Sequence, residues 1–210
     1  MPIKINGLNT GSVTLSASAT GGDVTLNLPN ANGTVATTSY ADTAPGLQHI
    51  VTQSFTAVSA VNVNNCFSSS YENYKINVAI DGASTSQSLF MRLRSGGVDN
   101  SSNNYNSGIA YVVYNNASAV TGANTSAQTW WFGWGLSSVA PSIVQSIDIY
   151  KPFIAFRTHL VSIYAKSPSV ATDSGFGQGF HNVASSFDGF SFFMDSSTMS
   201  GIIRVYGYKN

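Results

Sequence analysis

The chain has 210 residues, enough for one ordinary domain with a real core. Hydrophobic residues make up 43% of it and charged residues only 9%, against the roughly 25% usual for soluble domains, and the formal net charge is zero. Without a basic cluster there is no electrostatic footprint for nucleic acid or an anionic membrane, and neither is expected as a partner. Met1-Pro2-Ile3-Lys4-Ile5-Asn6 carries no signal-peptide pattern, and no apolar run approaches the roughly 20 residues of a membrane span. Export by a signal and membrane insertion are therefore not expected.

A surface built from Ser, Thr, Asn and Gly suits helices poorly, whereas Val, Ile, Thr, Tyr and Phe suit strands. The expected fold is all-β: a small N-terminal β arm over residues 1–45, then a β-sandwich, jelly-roll-like domain over residues 46–210. In the arm, Val13-Thr14-Leu15 and Val24-Thr25-Leu26-Asn27-Leu28 read as short strands between Gly7, Gly11, Gly21-Gly22 and Gly33. Burying Val13, Leu15, Val24, Leu26, Leu28 and Val35 offsets only a fraction of the entropy of ordering such a segment. The arm is thus expected to order on copies of itself or on another protein. A turn-rich stretch, Tyr40 to Gly46, closes it.

In the body, strands are expected at Ser54 to Val63, Tyr74 to Ile80, Ser88 to Arg94, Ile109 to Tyr114 and Gln128 to Trp134. Five more follow at Ile143 to Tyr150, Phe153 to Thr158, Val161 to Lys166, Gly189 to Met194 and Ile202 to Tyr208. In Leu89-Phe90-Met91-Arg92-Leu93-Arg94, alternation turns Leu89, Met91 and Leu93 inward, with Arg92 and Arg94 toward solvent or a partner. Ser95 to Asn104 and Asn115 to Ala127 read as long polar loops, the places where recognition usually sits. Gly175-Phe176-Gly177-Gln178-Gly179 reads as a turn or bulge.

Candidates for chemistry are few. Cys66 is the only cysteine, which leaves no disulfide framework and no cysteine metal site. His49, His159 and His181 show no zinc spacing, and there is no Gly-x-Ser-x-Gly elbow. Glu72 is the only glutamate, so glycosidase chemistry would need a pair drawn from it and scattered aspartates. No catalytic residue, cofactor or metal is expected, and the chain is read as a binding protein, not an enzyme. Calcium at Asp99 to Asn104 is disfavoured because the loop lacks spaced carboxylates.

Trp130-Trp131-Phe132-Gly133-Trp134 is the densest aromatic cluster, with Trp131 on the opposite face from Trp130, Phe132 and Trp134. Core packing is the favoured role, with subunit contact and glycan stacking left open. The binding residues singled out are Trp131, Tyr105, Asn103, Asn104 and Asp99.

Gly11-Ser12-Val13-Thr14-Leu15-Ser16-Ala17, followed by Asp23 to Thr37 (DVTLNLPNANGTVAT), resembles a short module of bacteriophage tail-fibre and related virion proteins. The closing Ser200 to Asn210 (SGIIRVYGYKN) is similar to the last strand of phage appendage domains. The resemblance implies a virion protein assembled in the host cytoplasm, homotrimeric, whose arm contacts other virion proteins. Its outward β body would serve attachment or host-receptor binding, with a host-surface glycan as a further candidate partner. The alternatives it leaves are a capsid decoration protein and, less favoured, a glycan-degrading tailspike.

Overall fold

A computed structural model of the chain describes residues 3–6, 12–15, 45–84, 87–114, 117–136, 143–166 and 173–209. Side chains are described over the same residues apart from 3–6, 12–15, 87 and 131–136. The chain divides into two units, Met1–Asp42 and Thr43–Asn210. In the first, β1 (Ile3–Asn6) pairs antiparallel with β2 (Ser12–Leu15), Ile3 opposite Leu15. The strand expected at Val13 to Leu15 is β2, whereas Val24 to Leu28 lies outside the described residues.

The second unit is a β-sandwich. Its strands are β3 (Gly46–Val58), β4 (Ala60–Val63), β5 (Asn73–Ala83), β6 (Gln87–Ser95), β7 (Val98–Asp99), β8 (Tyr105–Val113), β9 (Ser118–Ala127), β10 (Trp130–Leu136), β11 (Ile143–Tyr150), β12 (His159–Lys166), β13 (Asp173–His181), β14 (Gly189–Phe193) and β15 (Met199–Lys209). Eight form one sheet in the order β3-β15-β5-β11-β12-β13-β8-β9, and β10-β6-β14-β4 form the other with β7 paired to β6. Every pairing is antiparallel.

Period-two alternation builds the core. Tyr74, Ile76, Val78 and Ile80 of β5 and Ile143, Ile147 and Ile149 of β11 point inward from the larger sheet. They join Leu89, Met91 and Leu93 of β6 and Phe190 and Phe192 of β14 in one apolar cluster. Trp130 is buried there as well.

Several expectations are corrected. The run Ser54 to Val63 is two strands in different sheets: Ala57 adopts a left-handed φ of 51°, and the chain crosses between sheets at Ser59. Phe153 to Thr158 is not a strand, because Pro152 follows Lys151, itself at φ 57°; only an isolated bridge, Phe156 to Ser185, forms there. Most of the loop expected at Asn115 to Ala127 is β9, an edge strand too polar and small-residued to alternate visibly.

The glycine stretch 175–179 is the interior of β13. A Cβ at Gly175 would fall 2.3 Å from the Ala110 carbonyl oxygen, and one at Gly179 would fall 3.0 Å from the Trp130 indole, so glycine permits close packing inward. Arg94, expected toward solvent or a partner, is buried: it donates to the side-chain oxygens of Asn62 and Asn64 (2.9 Å each) and is ion-paired with Asp99.

Candidate functional site on the outer face of the larger sheet

Register brings residues distant in sequence into rows on the outer face of the eight-stranded sheet. Tyr150 of β11 lies opposite His159 of β12, His159 opposite Phe180 of β13, and Phe180 opposite Asn106 of β8. One step inward along the strands runs the row Asp148, Val161, Gln178 and Gly108. These residues point outward because their neighbours Ile149, Leu160 and His181 fill the core.

Tyr150, His159 and Phe180 are exposed, and the His159 and Phe180 rings stack with centroids 5.9 Å apart and planes 29° apart. Strands sit about 4.8 Å apart, so the three rings span about 10 Å, the length of two sugar rings. Beside them is a depression of about 460 Å³ whose lining also includes the amides of Asn106, Asn124 and Gln178. Gly108 contributes no side chain, and a Cβ there would meet nothing nearer than the Gly122 carbonyl oxygen at 3.9 Å.

Among the described residues, no Asp, Glu, Lys or Arg lines the depression. The nearest carboxylate in the rows, Asp148, accepts hydrogen bonds from Lys75 (3.2 Å) and from the Tyr208 hydroxyl. Exposed rings beside amides, each amide able to donate and accept, offer apolar surface and hydrogen bonds suited to the C–H groups and vicinal hydroxyls of an uncharged saccharide. The described residues contain no group of three or more His, Cys, Asp and Glu placed to hold a metal ion.

The five residues singled out in the sequence are dispersed. Asp99 lies in β7 and is held by Arg94. Asn103 is exposed in the turn before β8. Asn104 touches one residue that lines the depression: its carbonyl oxygen accepts from the Asn106 side chain (3.3 Å), and also from the Asn182 backbone N–H (2.8 Å).

Tyr105 is a core residue and presents no ring to a partner. Its hydroxyl donates to the Asn100 carbonyl (2.8 Å) and accepts from the Leu93 N–H (3.0 Å), while its ring meets Trp130 and His181 edge-on at 5.1 and 4.9 Å. Burial pushes its phenol well above the ordinary range. Trp131 sits in β10 opposite Phe90; its side chain is outside those described.

Tyr150, His159, Gln178 and Phe180 were missed because each was read on its own segment. The signal present was the alternation of Phe176, Gln178 and Phe180 with glycines, which is period two with the large residues facing out. No protein-family model, curated protein or solved structure matches the chain.

Proposed function

We propose that the chain is a structural protein of a bacteriophage virion, a short trimeric tail fibre or adaptor that mediates attachment or host-receptor binding. Residues 1–45 join the particle, and the sandwich makes the adhesive contact without chemistry of its own. The observation that supports this reading is the aromatic row of Tyr150, His159 and Phe180 beside an amide-lined depression on the outer face of the sheet. Such a surface binds a host-surface saccharide weakly per site, and three copies on one appendage multiply that through effective concentration. The resemblance of Gly11 to Thr37 and of Ser200 to Asn210 to phage appendage proteins supplies the setting.

The test is immunogold labelling of phage particles with antibodies to residues 46–210. Gold at the tail is the expected result. Gold spread over the head makes the chain a capsid decoration protein and overturns attachment, and particles that carry no gold overturn the virion reading altogether.

A further inference from the structure

The outer face of the eight-stranded sheet carries a second hollow, of about 390 Å³, lined by residues of β5, β11, β12 and β15. Register sets its shape. Val144 lies between Ala79 and Ala165, and the row beside it is Arg204, Asn77, Ser146 and Ile163. The two alanines rise only one carbon above the sheet, which leaves low ground between Val144, Ile163 and Arg204. Arg204 is exposed because alternation turns its neighbours Ile203 and Val205 into the core.

Arg92, Arg94 and Arg157 each donate hydrogen bonds within the chain. Among the described residues, by contrast, no hydrogen bond or ion pair engages the side chains of Arg204, Asn77 or Ser146, which are consecutive in the row. Arg204 is also the one charged residue among those lining the hollow. Asp148, two residues along β11 from Ser146, is taken by Lys75 and by the Tyr208 hydroxyl. The hollow therefore has a cationic end at Arg204, an amide and a hydroxyl in the middle, and an aliphatic end at Val144 and Ile163.

We infer that this hollow binds the hexuronic acid unit of an acidic saccharide. The carboxylate meets the Arg204 fork, ring hydroxyls exchange hydrogen bonds with Asn77 and Ser146, and the C–H face of the ring rests on Val144 and Ile163. A volume of this size falls in the range of small-ligand sites, about 300–1,000 Å³. One guanidinium matches the single charge of a carboxylate, and the lining offers no second cation for a phosphate dianion. Ile163 lies four residues along β12 from His159, about 13 Å, or roughly two to three sugar rings. One heteropolysaccharide with neutral sugars at the aromatic row and an acidic one at the hollow thus reaches both. The inference rests on the attachment reading for the origin of the sugar and adds a charge to what that reading recognises.

The test is a ligand-observed NMR titration of the full chain with the methyl glycosides of glucuronic, galacturonic and mannuronic acids, each against its parent hexose. At least one acid is expected to bind about tenfold tighter than its hexose, the weight of a charge-assisted hydrogen bond. Arg204→Gln is expected to abolish that preference. Ala165→Leu, at an exposed position, fills the hollow and keeps the charge, and is expected to weaken the acid by about as much. Phe180→Ala, in the aromatic row, is expected to leave the preference intact. No preference for any acid, a preference that survives Arg204→Gln, or one that Phe180→Ala removes overturns the inference. A preference that Arg204→Gln removes and Ala165→Leu spares makes Arg204 a surface charge only and overturns the hollow. Any of these results leaves tail labelling of the particle untouched, and gold on the head leaves the acid preference standing, so the two readings fail separately.

Discussion

The inner and outer faces of the eight-stranded sheet are built from the same strands, yet identical chemistry has different consequences on each. Inside, Ile147 and Ile149 are fully buried, and Lys166 is ion-paired with Asp173 at 3.4 Å with side chains 8% and 3% exposed. Outside, Ile163 is exposed, and the pair Lys75 with Asp148, at 3.2 Å, keeps 25% and 30% of its side-chain surface in water. The outer pair is screened and contributes little, whereas the inner pair has lost its hydration and each charge depends on the other. Tyr164 shares that interior: burial, and then the Asp173 charge beside it, hold its phenol un-ionised far above the ordinary range. The inner face therefore carries the fold, and the outer face contributes little to it.

The largest effect that sharpens this contrast is a charge deletion. Lys166→Met leaves the Asp173 carboxylate buried without its cation and is expected to cost about 3–5 kcal/mol in urea unfolding. Lys75→Met on the outer face is expected to cost about 0–1 kcal/mol. Equal costs would break the comparison. Replacing both inner partners, Lys166→Met with Asp173→Leu, is expected to restore most of the lost stability, since an apolar pair needs no compensation.

Next comes truncation of an aliphatic side chain. Ile147→Ala removes a fully buried side chain and is expected to cost about 2–5 kcal/mol, whereas Ile163→Ala, at an exposed position, is expected to stay within about 0.5 kcal/mol of its parent. A large loss at Ile163 would mean that the outer face, too, carries the fold.

A smaller, pH-dependent effect belongs to His181 on the inner face. Its Nδ1 lies 3.1 Å from the Val183 carbonyl oxygen, its Nε2 has no hydrogen-bond partner, and the rings of Tyr105 and Phe187 pack edge-on at 4.9 and 5.1 Å. Burial lowers its pKa below the ordinary value. The unfolded chain then takes up a proton near pH 6.5, before the folded chain does, and binds more protons across the window below that pH. Stability is expected to be flat above that window and to fall as pH drops through it. Thermal melts of His181→Phe that keep the same acid slope would assign it to other groups.

The sandwich was legible where one face is buried and the other polar: the alternation of Ile143 to Tyr150 marks β11 end to end. It failed where alternation is hidden. In β9 only Val120 among small and polar residues touches the core, and in β13 the inward positions between Asp173 and His181 are Gly175, Gly177 and Gly179, two of them against Tyr111 and Trp130. Tyr105 was misjudged because β8 starts there, four residues before the first apolar pair, and Tyr105, Ser107, Ile109 and Tyr111 all face inward. The aromatic row was illegible for another reason. Tyr150, His159 and Phe180 come from three strands, and only register, which loop lengths and bulges set, aligns them.

The smallest expected change in stability accompanies the largest expected change in binding. Phe180 stacks on His159 at the surface, so Phe180→Ala is expected to shift stability by no more than about 0.5 kcal/mol. Losing a ring of such a row typically removes about 0.5–1.5 kcal/mol of stacking, so affinity for host-surface saccharide is expected to fall about two- to tenfold. Gly108→Leu approaches the same site from the opposite direction. Gly108 accommodates a Cβ and has no left-handed backbone, so the leucine side chain is expected to extend into the depression. Binding should fall while the melting temperature stays put. Calorimetric titration of both variants with host polysaccharide reads the result. If Phe180→Ala weakens binding and Gly108→Leu does not, the ligand lies along the rings and not in the depression. If neither variant changes affinity, this part of the outer face of the sheet makes no saccharide contact.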